Sequence, residues 1–170
     1  MSVDRSRLHI ALQRSGRLAD LSRDLLREAG LRIESGKNSL TARAANFPAD
    51  LMFVRDDDIP TFVSDAACEF GIVGQNVLEE FALGQSEPSI EVIAELGFGQ
   101  CSLRIATPER LPYDGPQTLS RQRIATSYPR LLRRWLETQG VENIKNVNEA
   151  IKPAHPWFSF YGAKSADELG

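Results

Sequence analysis

The sequence predicts an α/β protein built on an open sheet, and three stretches carry that reading. Arg7 to Ala29, Asp50 to Ala67 and Phe70 to Leu83 each begin with a short apolar run of strand length. Each then passes through a loop of small or charged residues into a helix. Such a sheet places its ligand at the carboxyl ends of its strands. Free backbone N–H groups at the helix starts favour an anion there.

In the first stretch, Leu8, Ile10 and Leu12 fall on one strand face and His9 and Ala11 on the other. His9 reads as a strand residue on a half-covered face. Ser15 is a fair N-cap for a helix to about Ala29, with Leu18, Leu21, Leu25, Leu26 and Ala29 as its stripe. Gly30 closes it. The loop Gln13-Arg14-Ser15-Gly16-Arg17 has the parts of an anion site: a small-residue turn, a hydroxyl, N–H groups and two guanidiniums, which fork onto phosphate. An ordinary capped helix with solvated arginines has the same parts. The loop lacks the Walker pattern.

Leu31 to Ala44 predicts two short strands around a Gly36-Lys37-Asn38 turn. Leu51 to Val54 is the next strand, and Arg55 follows it directly, at the sheet's ligand edge. Asp56, Asp57 and Asp58 have two readings: charge that complements a helix N-terminus, or contact with Mg²⁺ or a ribose hydroxyl. Pro60 suits a first helical position, and Phe62, Val63, Ala66 and Ala67 make that helix's stripe. Phe70 to Val73 is a buried strand, Gly74 opens a turn, and Gln75-Asn76 leads into a helix from Val77 to Leu83.

After a polar linker, Ile90 to Leu96 and Leu103 to Thr107 read as strands, separated by Gly97-Phe98-Gly99. Leu111 to Ser120 is loop. Arg123 to Thr126 is a strand, followed by Ser127-Tyr128-Pro129. A basic amphipathic helix through Leu131, Leu132, Trp135 and Leu136 ends at Gly140, and Val141 to Val147 is a further strand. From about Asn148 neither period persists; KPAHPWFSFY is either a docked cluster or an exposed apolar tail.

Composition bounds the function. The chain has 170 residues, 42% apolar, enough for one sizeable core or two small lobes. A net charge of -3 offers no broad basic field for nucleic acid. Cys68 and Cys101 have no metal-ligand spacing, and each reads as a small buried apolar residue in a reducing compartment rather than as half of a disulfide. Neither a signal peptide nor a membrane span is evident, so the expected location is the cytoplasm.

RLHIALQRSGRL, FPADLMFVRDDDIPTFVSDAACEFGIVGQNVLEE, GFGQCSLRIATP and RIATSYPRLLRRWLETQGV together resemble the amino-terminal half of long-form ATP phosphoribosyltransferase, the first enzyme of histidine biosynthesis. The resemblance runs in order from about Leu8 to Val147. It implies a type II periplasmic-binding-protein fold, two α/β lobes flanking a cleft. Residues 1–100 would form the first, nucleotide-side lobe, 101–147 an incomplete second lobe, and 148–170 a divergent tail. It implies a glycosyltransferase that joins N1 of ATP to C1 of phosphoribosyl pyrophosphate, releases pyrophosphate and requires Mg²⁺. It implies a homo-oligomeric family, with no nucleic acid or membrane partner. By motif, Arg17 and Arg55 contact nucleotide phosphates and face a shared hollow. Ser15, Gly16 and Gly74 shape the first-lobe pocket, and Thr126 and Ser127 lie near the cleft in the second. No catalytic residue or protein metal ligand follows from the resemblance.

After RIATSYP the family carries a Gly-x-Ala-Asp-x-Ile-x-Asp motif ending in a Ser/Thr-Gly-x-Thr turn that grips phosphoribosyl pyrophosphate. Here Glu149 matches the motif's opening acid, and Lys152-Pro153-Ala154-His155-Pro156-Trp157 then diverges. The expectation is a truncated or frame-shifted chain with no turnover alone. Two other readings stand beside it. One is a module that binds ATP or AMP through Arg17 and Arg55. The other is a non-functional fragment that self-associates through unfinished sheet edges.

Overall fold

A computed structural model describes residues 6–34, 39–110, 112–141 and 146–149, the last four by their backbone. The Gly36-Lys37-Asn38 turn and the expected tail from residue 150 on lie outside the described residues. The chain divides into two units, Met1–Gly99 and Gln100–Gly170.

The first unit is a mixed five-stranded sheet with helices. Its elements are β1 (Leu8–Gln13), α1 (Arg17–Glu28), β2 (Ile33–Glu34), β3 (Thr41–Ala44), β4 (Ala49–Val54), a 3₁₀ turn at Asp56–Asp58, α2 (Ile59–Ser64), β5 (Phe70–Ile72) and α3 (Gln75–Ala82). The strand order is β2-β3-β4-β1-β5. β1 lies between β4 and β5, parallel to both, with Ile10 opposite Leu51 on one side and Phe70 on the other. β2 and β3 form the antiparallel margin.

The alternation in β1 decides the layering. Ile10 and Leu12 pack with Leu51, Phe53 and Leu26 of α1. Ala11 packs on the opposite face with Ile59, Phe62 and Val63 of α2 and with Cys68. A strand buried on both faces is what a parallel sheet between helices requires. Gly71 lets α2 approach closely, because a Cβ there would come within 2.5 Å of Ile59 Cγ2 and 3.1 Å of Val63 Cγ2.

Several local expectations are corrected. Gly16, not Ser15, is the N-cap of α1, with φ 100° and ψ 175°. The helix presses Ala19 and Ser22 inward, while Leu21 is 38% exposed. Small residues allow the close approach, and the leucines flank it. Arg23 lays its guanidinium over Phe53, 4.8 Å from the ring centroid. Gly30 ends the helix as expected: its N–H bonds to Arg27 O and that of Leu31 to Leu26 O, a Schellman pattern. α2 stops at Ser64, short of Ala66 and Ala67, because Ala66 takes φ 54° and turns the chain. Pro60 occupies its second position rather than its first. His9 is buried rather than half-covered.

Ile90 to Leu96 and Leu103 to Thr107 are not strands. A strand needs a ladder partner, and neither segment has one among the described residues; Val92 and Ile93 are 59% and 71% exposed. In the second unit, Pro116–Leu119 is a 3₁₀ turn inside the expected loop, β6 is Arg123–Thr126 and α4 is Pro129–Thr138. β7, Asn146–Glu149, pairs parallel with β6, and residues 142–145 of the expected strand lie outside the described residues. Leu119, Leu136 and Val141 form this unit's core. Gly140, at φ 66°, closes α4 with the same Schellman pattern. No helix of the described residues is long and apolar enough to cross a membrane.

Candidate functional site

The topology of the first unit selects one edge. From β1 the chain winds through α1, β2 and β3 to β4, then returns through α2 past β1 to β5. The winding changes direction at β1, and ligands bind outside the carboxyl ends of strands at such a switch point. Adjacent strands lie about 4.8 Å apart, so the loops leaving β4, β1 and β5 are neighbours. They carry Arg55, then Ser15, Gly16 and Arg17, then Gly74.

Each loop has its own geometry. Arg14 N–H donates to Val54 O at 2.8 Å, joining the exits of β1 and β4. Gly16 then adopts a φ that favours glycine. A Cβ on Gly74 would stand 3.7 Å from Leu18 Cδ1, so Gly74 and the first turn of α1 are brought together. Neither α1 nor α3 has a side-chain cap among the described residues. First-turn N–H groups of both helices therefore lack the usual hydroxyl or carboxylate acceptor.

The two arginines differ. Arg17 is exposed and makes no hydrogen bond or ion pair among the described residues. Arg55 donates from Nε to Asp58 Oδ2 at 2.9 Å and from Nη2 to Asp58 Oδ1 at 3.1 Å, with Asp57 4.0 Å away. The Asp58 hydrogen bonds raise the guanidinium pKa further above its ordinary value. Ser15 is exposed, and its hydroxyl has no partner among the described residues. Thr126 and Ser127 belong to the second unit, at the end of β6. Thr126 Oγ1 accepts the Tyr128 N–H at 3.0 Å, a local turn, and Ser127 is exposed.

The hollow outlined by Ser6, Arg7, Leu8, Phe47, Pro48 and Glu69, about 260 Å³, lies at the amino edge, away from Arg17 and Arg55. Its charged groups are already engaged. Arg7 grips Asp50 through Nε and Nη2 at 3.0 and 2.9 Å and donates to Ala49 O. Glu69 Oε2 accepts the His9 N–H at 2.7 Å. His9 Nδ1 is 3.3 Å from the same oxygen but has no hydrogen-bond geometry with it. This edge reads as structural, and the phosphate-competent groups sit at the other one.

At the carboxyl edge the chemistry available is anion binding by guanidiniums and backbone N–H groups. The described histidine, His9, is at the opposite end of β1. No three His, Cys, Asp or Glu side chains among the described residues gather to cage a metal ion. Asp56 to Asp58 stand at the start of α2, as the helix-charge reading expects, and Asp58 in addition pairs with Arg55. That pairing of residues three apart was open to inference from the 3₁₀-prone run after Arg55.

A family model described as HisG: ATP phosphoribosyltransferase matches residues 55–150. Among solved structures, the chain is similar to one from Thermotoga maritima titled "ATP phosphoribosyl transferase (HisG:HisZ) complex". The likeness has a TM-score of 0.51 and 22% sequence identity and covers 79% of this chain. It spans 60% of that chain's length. At this identity the structural likeness speaks for the fold.

Proposed function

Because the chain belongs to the ATP phosphoribosyltransferase family, we propose that its first unit is the nucleotide-binding part of that enzyme. The reaction transfers phosphoribose from phosphoribosyl pyrophosphate to N1 of ATP and releases pyrophosphate. The observation that carries the reading is the convergence of three strand-to-helix loops on one sheet edge, with Arg17 and Arg55 on two of them. Arg17 meets a phosphate directly. Arg55 offers its remaining donors, and Ser15, Gly16 and Gly74 let the backbone approach. In the second unit, this reading sets Thr126 and Ser127 near the substrate. The parallel strands run in the order second, first, third, which supports a type II periplasmic-binding-protein architecture.

Catalysis of this kind is positioning together with charge stabilisation of an oxocarbenium-like centre and a pyrophosphate leaving group. A side-chain acid or base at the edge is not needed for it. Mg²⁺ would enter on the substrates' phosphates, since it commonly keeps phosphate and water ligands. The 170 residues carry no Ser/Thr-Gly-x-Thr turn after RIATSYP. They bind nucleotide and do not turn over alone. A cytoplasmic location belongs to this reading.

Calorimetric titration of the chain with ATP, against Arg17→Ala and Arg55→Ala, tests the site. Each variant is expected to weaken binding at least about tenfold, as loss of a charge-assisted phosphate contact does. Equal heats in all three proteins would remove the nucleotide assignment. A pyrophosphate-release assay tests the second half: turnover by the purified chain would refute the requirement for the missing turn.

A further inference from the structure

We infer that Asp58 is a positioning residue for Arg55, holding the guanidinium plane so that its remaining donors meet the nucleotide phosphate. The inference rests on the nucleotide reading above and adds a residue to it.

Asp58 occupies the N-cap position of α2. Asp is among the residues best suited to cap a helix with its carboxylate. Here the carboxylate makes no cap hydrogen bond. Both of its oxygens turn back to Arg55 instead, at 2.9 and 3.1 Å. The contact is side-on, through Nε and Nη2. A guanidinium has five N–H donors in one rigid plane, so the side-on grip orients the plane and leaves Nη1 and the second Nη2 hydrogen for another acceptor. As an isolated surface pair the contact contributes little to folding, since Arg55 and Asp58 are 69% and 37% exposed. Its consequence lies in orientation, where small misplacements weaken binding far more than they weaken the fold.

The direction of effect separates positioning from simple charge. Removing a carboxylate near a bound polyphosphate relieves like-charge repulsion, so electrostatics alone predicts tighter binding for Asp58→Asn. Loss of a positioning partner predicts weaker binding. Asp58 makes no cap hydrogen bond, so the change to asparagine takes none away from α2.

The experiment is an ATP titration of the full chain, Asp58→Asn, Arg55→Ala and the double variant, with a thermal melt of each. Asp58→Asn is expected to weaken ATP binding on the order of tenfold, with an unchanged melting midpoint. In the Arg55→Ala background it is expected to have no further effect on affinity. Unchanged or tighter binding by Asp58→Asn overturns the inference while leaving the nucleotide site standing if Arg55→Ala still weakens it. An additional loss in the Arg55→Ala background also overturns it. Arg55→Ala binding as well as wild type, or no heat from wild type, overturns both readings.

Discussion

The two edges of the first unit's sheet use the same residue types in opposite ways. At the amino edge, Arg7 reaches Asp50 across 43 residues and His9 meets Glu69 across 60. At the carboxyl edge, Arg55 pairs with Asp58 three residues on, and Arg17 has no partner among the described residues. Long-range pairs tie strands together, because holding them requires the fold. Local pairs and solitary cations add little to the fold and remain available to a ligand. Charge at one edge is therefore tied into the fold, and at the other it is left to the local chain and to solvent.

The largest expected effect comes from breaking the amino edge. Asp50→Ala removes the acceptor of both Arg7 and Arg43. The Arg7 and Asp50 side chains are 18% and 23% exposed, between a surface pair and a buried one. A destabilisation of about 2 kcal/mol follows from that position. Urea denaturation measures it, and ATP affinity is expected to stay at the wild-type value. A loss of ATP affinity in Asp50→Ala with no change in urea midpoint would abolish the distinction between the edges.

Acid titration sharpens the same contrast with a smaller effect. Arg7's hydrogen bond holds the Asp50 carboxyl below its ordinary value, and the His9 backbone N–H does the same for Glu69. Groups with lowered folded-state pKa values stabilise the fold fully above their unfolded values, about 3.9 for Asp and 4.3 for Glu. That stability is lost as pH falls through the folded values. The urea midpoint of the wild type is expected to drop on acidification below about pH 5. Asp50→Asn, lacking one of the two groups, should show a shallower drop; an identical slope would remove Asp50 from the account.

How much of this was legible follows from the range of each signal. β6 has the bounds its sequence predicts, and Gly30 and Gly140 end their helices as expected. Those signals are local. The two faces of β1 were also readable, because strand alternation needs no partner to be seen. Ile90 to Leu96 and Leu103 to Thr107 have strand composition, yet composition cannot supply the neighbouring strand that a ladder requires. The Arg7–Asp50 and His9–Glu69 pairs depend on which strands become neighbours, which spacing in sequence does not reveal. Arg55 was expected directly after a strand, and it follows β4; Arg17 was expected beside the first helix start, and it opens α1. The engagement of Arg55 by Asp58 depended on a turn geometry that three consecutive aspartates only suggest.

Ala66 offers the smallest effect and the cleanest sign. It follows α2 on the way to the amino edge of β5, with φ 54° in the left-handed region. Its N–H bonds to Val63 O at 3.0 Å and that of Ala67 to Phe62 O at 2.9 Å, the Schellman pattern that glycine ordinarily completes. The stripe through Ala66 and Ala67 predicted more helix, but a terminus at Ser64 lets the chain turn and place Cys68 in the core. An L-residue in this conformation costs roughly 1 kcal/mol relative to glycine, offset in part by glycine's greater freedom when unfolded. Ala66→Gly should therefore stabilise the unit by about 0.5 kcal/mol, read as a higher urea midpoint. The substitution sits away from the loops leaving β1, β4 and β5, so ATP affinity should not follow the midpoint. A lower midpoint would mean that α2 continues through Ala66 in solution, and the turn that brings Cys68 beneath β1 would have to be redrawn.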